Sequence, residues 1–158
     1  RLIKEGNETV TNCHALKMKA ADGKRRLTDE WQAHGVQKGK EYAILTDEVT
    51  KAWSGMSTRQ YKNYKGLKKE NLRDNMSTLE LALNMLAEAT TTELTKVQNP
   101  YGLEANRNVA KTGGQIAGEA RMRIEKETGN PVITNQNAAS LNSVVTGMIE
   151  EVTKAEEK

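Results

Sequence analysis

Residues 77–94 read STLELALNMLAEATTTEL, and this stretch decides the fold. Ser77 and Glu80 stand at capping-box spacing, in which the serine oxygen accepts the N–H three residues on and the glutamate reaches back to the serine N–H. The helix they start carries Leu79, Leu81, Ala82, Leu83, Met85, Leu86, Ala87 and Ala89 on nearly every side. A helix that is apolar all round is a buried one, so this segment is expected at the centre of the protein, with Leu83 and Leu86 both inside.

Working outward, Ser57 and Gln60 repeat the box, and Gly66 ends the helix they open. Thr46 is placed to cap a helix over Asp47 to Ser54 that stops at Gly55, and Thr28 to cap a short one ending near Gly35. Asn99-Pro100-Tyr101-Gly102 is a turn. A polar helix from about Leu103 leads to Gly113-Gly114, and a second runs to Thr128 with Gly129 as its C-terminal cap. Pro131 prevents continuation, Val132 to Thr134 make a short extended link, and a last amphipathic helix follows.

Only the N-terminal segment carries strand signals. Val10, Leu16 and Met18 partly alternate with Thr11, Lys17 and Lys19, and Asp22-Gly23 has the chemistry of a hairpin turn before Lys24 to Leu27. The expected fold is therefore mainly α: residues 1–27 a small β-hairpin, 28–134 a multi-helix domain, and 135–158 a C-terminal helix.

Composition narrows the class further. In 158 residues there are two Trp, four Tyr and no Phe, and Leu, Ile and Val together number 28. With a net charge of only +3, so thin an aliphatic supply favours helices that each bury one stripe over a β-sandwich. A single cysteine, Cys13, excludes an internal disulfide and fits a reducing cytoplasm. No apolar run approaches the ~18 residues of a membrane span, so no membrane association is expected. The chain opens on Arg1 rather than Met, as a piece of a longer protein would.

Chemistry-bearing residues are sparse. Cys13, His14 and His34 are too few and too scattered for a structural zinc site. Gly113-Gly114-Gln115-Ile116-Ala117-Gly118 fits no phosphate-loop pattern, and the small residues at 110, 114, 117 and 118 read as a close helix crossing. Glu88 and Glu93 lie in apolar surroundings, at the boundary of the central helix. No catalytic residue, cofactor or metal is assigned. The pronounced feature is charge: Lys51 to Asn75 carries +5, more than the whole chain. Arg59, Lys62, Lys65, Lys68, Lys69 and Arg73 are the candidate nucleic-acid contacts, since a helix, a turn at Gly55 and a basic helix outline a helix-turn-helix. A basic face that merely keeps a polar helix solvated is the alternative. In the last helix Leu141, Val145, Met148 and Val152 step by four, three and four, the spacing of a helix–helix seam, and this stripe is the candidate self-association surface of a homo-oligomer.

The strings LTDEWQAHGV from Leu27, then KGLKKENLRDNMSTLEL over Lys65 to Leu81, then VAKTGGQIAGEARMRIEKETGNPVIT resemble the C-terminal region of DNA-damage-inducible protein D and of phage antirepressors. The likeness covers Leu27 to about Thr134. NETVTNCHALKMKAADGKRRLTD resembles the hairpin of the Bro-N type domain that precedes this region, although RRLTD passes straight to EWQAHGV without the further Bro-N helices. The resemblance implies a non-enzymatic regulatory role in a bacterial or prophage cytoplasm, with DNA, a repressor or a recombinase filament as partner.

Overall fold

The computed structural model describes residues 2–156 and, within them, the side chains of 14–139 and 146–156. Six α-helices account for most of them: α1 Leu2–Ala33, α2 Lys40–Ser54, α3 Thr58–Tyr64, α4 Thr78–Gln98, α5 Leu103–Thr128 and α6 Ala138–Glu156, with a 3-10 turn at Arg73–Asn75. Both capping boxes form, at Ser57/Gln60 and at Ser77/Glu80. Gly55 and Gly129 close α2 and α5 in the left-handed conformation, with φ of 79° and 70°.

The expected hairpin is absent: residues 2–33 are one helix, which runs without interruption across Asp22-Gly23. The burial pattern explains why. Ala20, Leu27 and Trp31 are all buried, and with Lys24 they step by four, three and four, the period of a helix rather than a strand. A glycine inside a helix costs about 1 kcal/mol relative to alanine. Burying Leu27 and Trp31 contributes about 1.5–3 kcal/mol each, so tertiary packing outweighs the turn signal. Asp22 turns outward and pairs with Arg25 and Arg26 at 2.5 and 3.1 Å.

Three further expectations change. Thr28 starts no helix: it lies inside α1 and donates to Arg25 O at 2.9 Å. Thr46 caps nothing: it sits inside α2 and donates to Tyr42 O at 2.7 Å. Gly113-Gly114 does not divide two helices, because α5 passes through it unbroken. Here the close-crossing reading holds. α5 packs against both α2 and α4, and a Cβ on Gly113 would lie 2.1 Å from Thr91 Oγ1 and 2.9 Å from Thr91 Cα. One on Gly114 would lie 2.5 Å from Ala52 Cβ, and one on Gly118 2.7 Å from Ala52 O. The opposing face of α4 is Ala87, Thr91 and Thr95, all buried, and each threonine hydroxyl donates to the carbonyl four residues back. Small residues on one helix and self-satisfied threonines on the other let the backbones touch without stranding a polar group.

The core centres on Trp31 and Trp53, both fully buried, with Leu27, Leu45, Val49, Tyr61, Leu83 and Ala87 around them. Two large indoles supply what the aliphatic count lacks. α4 is central but not dry on every side: Leu83 is 4% exposed and Leu86 41%, so only the former belongs to the core. The chain after α5 returns to the body, where Val132 and Ile133 are buried. Beyond it Met148, Ile149 and Val152 of α6 are each about 60% exposed.

Gly23 and Gly113, two of the helical glycines, make a paired test of this architecture. Gly23 has open space around its Cβ position, so Gly23→Ala should stabilise by about 0.4–1 kcal/mol in urea denaturation; at a hairpin turn needing positive φ it would destabilise instead. Gly113→Ala should cost about 1–3 kcal/mol through overpacking against Thr91, despite alanine's better helix propensity.

Candidate nucleic-acid interface

The segment from α3 to the start of α4 carries the basic residues, and one carboxylate organises it. Glu80 is fully buried. Its Oε2 accepts the Ser77 N–H at 2.7 Å, closing the capping box, and its Oε1 accepts the Tyr61 hydroxyl at 2.6 Å. Lys65 Nζ completes the set at 3.0 Å from Oε1 and also donates to Thr134 O and Gln136 O at 2.9 and 2.8 Å. Burial, then the hydrogen bond to Glu80, pushes the Tyr61 phenol well above its ordinary range. Tyr61 therefore stays protonated and donates.

This arrangement removes Lys65 from the list of phosphate contacts, because it is 1% exposed with every donor of its ammonium engaged. Arg73 is likewise turned inward, pairing with Glu88 of α4 and donating to Ala20 O of α1 at 3.1 Å. The segment keeps its +5, but two of its cations are engaged by carboxylates 15 residues away, which periodicity alone does not reveal. Arg59, Lys68 and Lys69 are exposed and Lys62 partly so. Lys68 and Lys69 precede Glu70, whose carboxyl is held below the usual range by the backbone N–H groups of Glu70 and Lys68.

Arg59 and Lys62 are joined by a cation the sequence reading passed over. A hollow of about 650 Å³ between α2 and α3 is rimmed by Lys40, Arg59 and Lys62, with Ala43 and Ile44 among its walls. It also holds one carboxylate, Asp47, whose Oδ1 accepts the Thr58 N–H at 2.7 Å. Among the described residues no ion pair engages Lys40, Arg59 or Lys62. α3 has only seven residues, about 10 Å of helix.

Behind this groove lies a second group of charges. Lys24 of α1 donates to Thr46 Oγ1 and stands 5.0 Å over the Trp31 ring. Burial lowers its pKa to about 8, with Glu88 pulling it up and Arg73 pushing it down. Burial also raises the Glu88 carboxyl, against the opposing pull of Arg73, Lys24 and the Asn84 amide. Glu88 lies inside rather than at the helix boundary, at 3% exposure, whereas Glu93 is a surface residue in an i,i+3 pair with Lys96. Thr46 lines the groove and both hollows behind it, of about 460 and 200 Å³. Lys24 was legible only once residues 20–31 were read at helical period.

The other candidates fall elsewhere. His34 Nδ1–H donates to Glu30 O at 2.7 Å and its Nε2 stands 3.0 Å from the Asn99 side-chain amide, tying the end of α1 to the turn after α4. His14 is exposed. Among the described residues no group of three or more His, Cys, Asp and Glu is placed to hold a metal. Of the self-association stripe, Met148 and Val152 are exposed, while the side chains of Leu141 and Val145 lie outside the described residues, as does that of Cys13. No described helix is long and apolar enough to cross a membrane.

The family model of the DinD C-terminal domain matches residues 11–141. The chain belongs to that family. The match takes in α2 to α5 with the whole groove, and it begins within α1, so most of the segment likened to a Bro-N hairpin falls inside the DinD C-terminal domain itself. No curated protein and no solved structure matches the chain.

Lys24 gives this DinD C-terminal domain a defined alkaline response. Its folded pKa of about 8 lies below the ordinary 10.5, so between these values the unfolded chain holds a proton that the folded one has lost, and stability rises with pH. Between pH 8 and 10, before the raised phenols of Tyr42 and Tyr61 begin to oppose it, the gain should be about 2 kcal/mol. Lys24→Met should lack this rise in urea titrations across the same window.

Proposed function

We propose that this DinD C-terminal domain is a non-enzymatic binding module of the DNA-damage-inducible type, and that its α2–α3 groove takes the backbone of a nucleic-acid strand. The observation that carries the reading is the rim of Lys40, Arg59 and Lys62, three cations with no ion-pair partner among the described residues, around a hollow that includes Ala43 and Ile44. Cations placed for phosphates are the electrostatic element of a single-strand groove. The two-turn α3 and the inward-facing Lys65 favour backbone contact over sequence readout.

Affinity for single-stranded DNA should fall with log salt at about −0.7 per neutralised phosphate. Arg59→Gln with Lys62→Gln should flatten the slope by about 1.4. Lys65→Gln should leave the slope alone yet cost about 3–5 kcal/mol of stability, because it strands the buried Glu80 charge. A slope unchanged in the double variant would return Arg59 and Lys62 to the role of solvating a helix.

A second reading rests on α6. Met148, Ile149 and Val152 present an apolar stripe, and an apolar seam of helical spacing supports pairing with a second copy or with a protein partner such as a repressor or recombinase. Sedimentation should give a dimer for the intact chain and a folded monomer for Met148→Glu with Val152→Glu. A monomer for both removes self-association.

A further inference from the structure

The larger hollow behind the groove, about 460 Å³, has one wall built by a stripe of α1. Lys17, Ala20, Ala21 and Lys24 all line it, and their spacing of i, i+3, i+4 and i+7 puts them on one face of the helix. The two lysines stand about 10 Å apart along the axis, with only alanine methyls between them. Each ammonium rides a flexible four-carbon stem, so both can close on one group held in that gap. The other walls are Asn71, Arg73 and Asp74 of the loop before α4, Leu81 of α4 and Thr46 of α2.

Both lysines lack acceptors. Lys17 is exposed and has no ion-pair partner among the described residues. Lys24 is partly exposed, and of its three N–H donors one is taken, by Thr46 Oγ1. Glu88 pulls on its charge without reaching it as an ion pair, and burial prevails. Arg73 is already held by Glu88 and Ala20 O, so it adds positive charge to the hollow rather than a contact. Asp74 is the single carboxylate on walls that carry three cations. An anion between the lysines would supply both the acceptors and the opposite charge, in charge-assisted hydrogen bonds.

We propose that this hollow is a phosphate site, in which one phosphate group lies between Lys17 and Lys24 and accepts from both ammonium groups. The inference goes beyond the groove reading and stands without it, because Lys40, Arg59 and Lys62 line the groove and not this hollow. The phosphate has two sources: a free phosphate monoester, or the backbone of a strand in the groove, since Thr46 borders both spaces. Lys24 makes the site pH-sensitive. It is faced by Glu88 of α4, Arg73 of the loop and Thr46 of α2, and shares the hollow with Lys17 and Asp74. A bound dianion favours its charged form. Above the folded pKa of about 8 the amine must therefore take up a proton on binding, and affinity falls as pH rises.

The test is calorimetric titration of the full chain with methyl phosphate at constant ionic strength from pH 7 to pH 9. Phosphate monoesters complete their ionisation near pH ~6, so the ligand keeps its charge across this range. Wild-type affinity should be about tenfold lower at pH 9 than at pH 7, the effect of one proton to be bound. Lys17→Gln should weaken binding about tenfold, the order of one charged hydrogen bond, and keep the pH profile. Lys24→Met should weaken it and flatten the profile, and Asp74→Asn should tighten it. The absence of saturable binding at pH 7 overturns the site. Binding that Lys17→Gln leaves unchanged places the phosphate elsewhere and overturns it too, and since Lys17 is exposed this variant decides even should Lys24→Met fail to fold. A flat wild-type profile overturns the part of Lys24. Single-stranded DNA separates the sources: a strand that methyl phosphate displaces uses the hollow through its own backbone, whereas one that binds alongside leaves the hollow to a free monoester. Methyl phosphate bound with no strand binding at all overturns the groove and leaves this site standing.

Discussion

The buried Glu80 carboxylate is the constraint on which the rest of the basic region depends. It completes the N-terminal cap of α4, receives the Tyr61 hydroxyl of α3, and balances the Lys65 ammonium. Through Lys65 it also reaches the carbonyls of Thr134 and Gln136 in the link that follows α5. An isolated carboxylate at this depth would be strongly penalised by desolvation, and so would an isolated ammonium. Each is tolerated because the other is there with neutral hydrogen-bond partners. The consequence for function is geometric: with Tyr61 and Lys65 pinned inward, the opposite flank of α3 turns Arg59 and Lys62 toward the groove.

A second constraint is the separation of the helices. α5 approaches α2 and α4 more closely than any side chain would permit at Gly113, Gly114 and Gly118. α2 and α4 both pack on α5 and also touch each other, and the polar cavity of Thr46, Thr50, Asn84 and Glu88 has α2 and α4 among its walls. Arg73 closes it from the loop, while α1 contributes Lys24 as a charge facing Glu88 and a carbonyl that holds Arg73 in place. Three elements far apart in the chain therefore supply one group of charges, and none of them alone would hold it away from water.

Membership of the DinD C-terminal domain family connects this architecture with a damage-inducible protein. The same region that the family model spans contains the groove, the cavity and the Glu80 node, so the features on which binding is proposed belong to the domain proper. α6 lies mostly beyond it. A binding surface in the domain and an apolar stripe beyond it are separable, and they serve different partners in the two functional readings.

Local signals in the sequence determined the elements that local forces decide. The boxes at Ser57 and Ser77, the stops at Gly55, Gly66 and Gly129 and the turn at Asn99 are satisfied within a few residues, and each was legible. The close crossing at Gly114 and Gly118 was legible too, since small residues at helical spacing have few other uses, whereas the contact of Gly113 with Thr91 was not. Tertiary structure decided whatever depended on a distant partner. Asp22-Gly23 is a turn signal by local chemistry, yet Leu27 and Trp31 make it the middle of a helix because burial is worth more than a glycine costs. Lys62 and Lys65 look alike in sequence, and only Glu80 and the carbonyls of Thr134 and Gln136 make one of them structural. Lys40 joins Arg59 because α2 packs beside α3. Charge in a sequence is a sum over residues, whereas the field at a surface is what remains after buried pairs have cancelled, and that cancellation is a property of the fold.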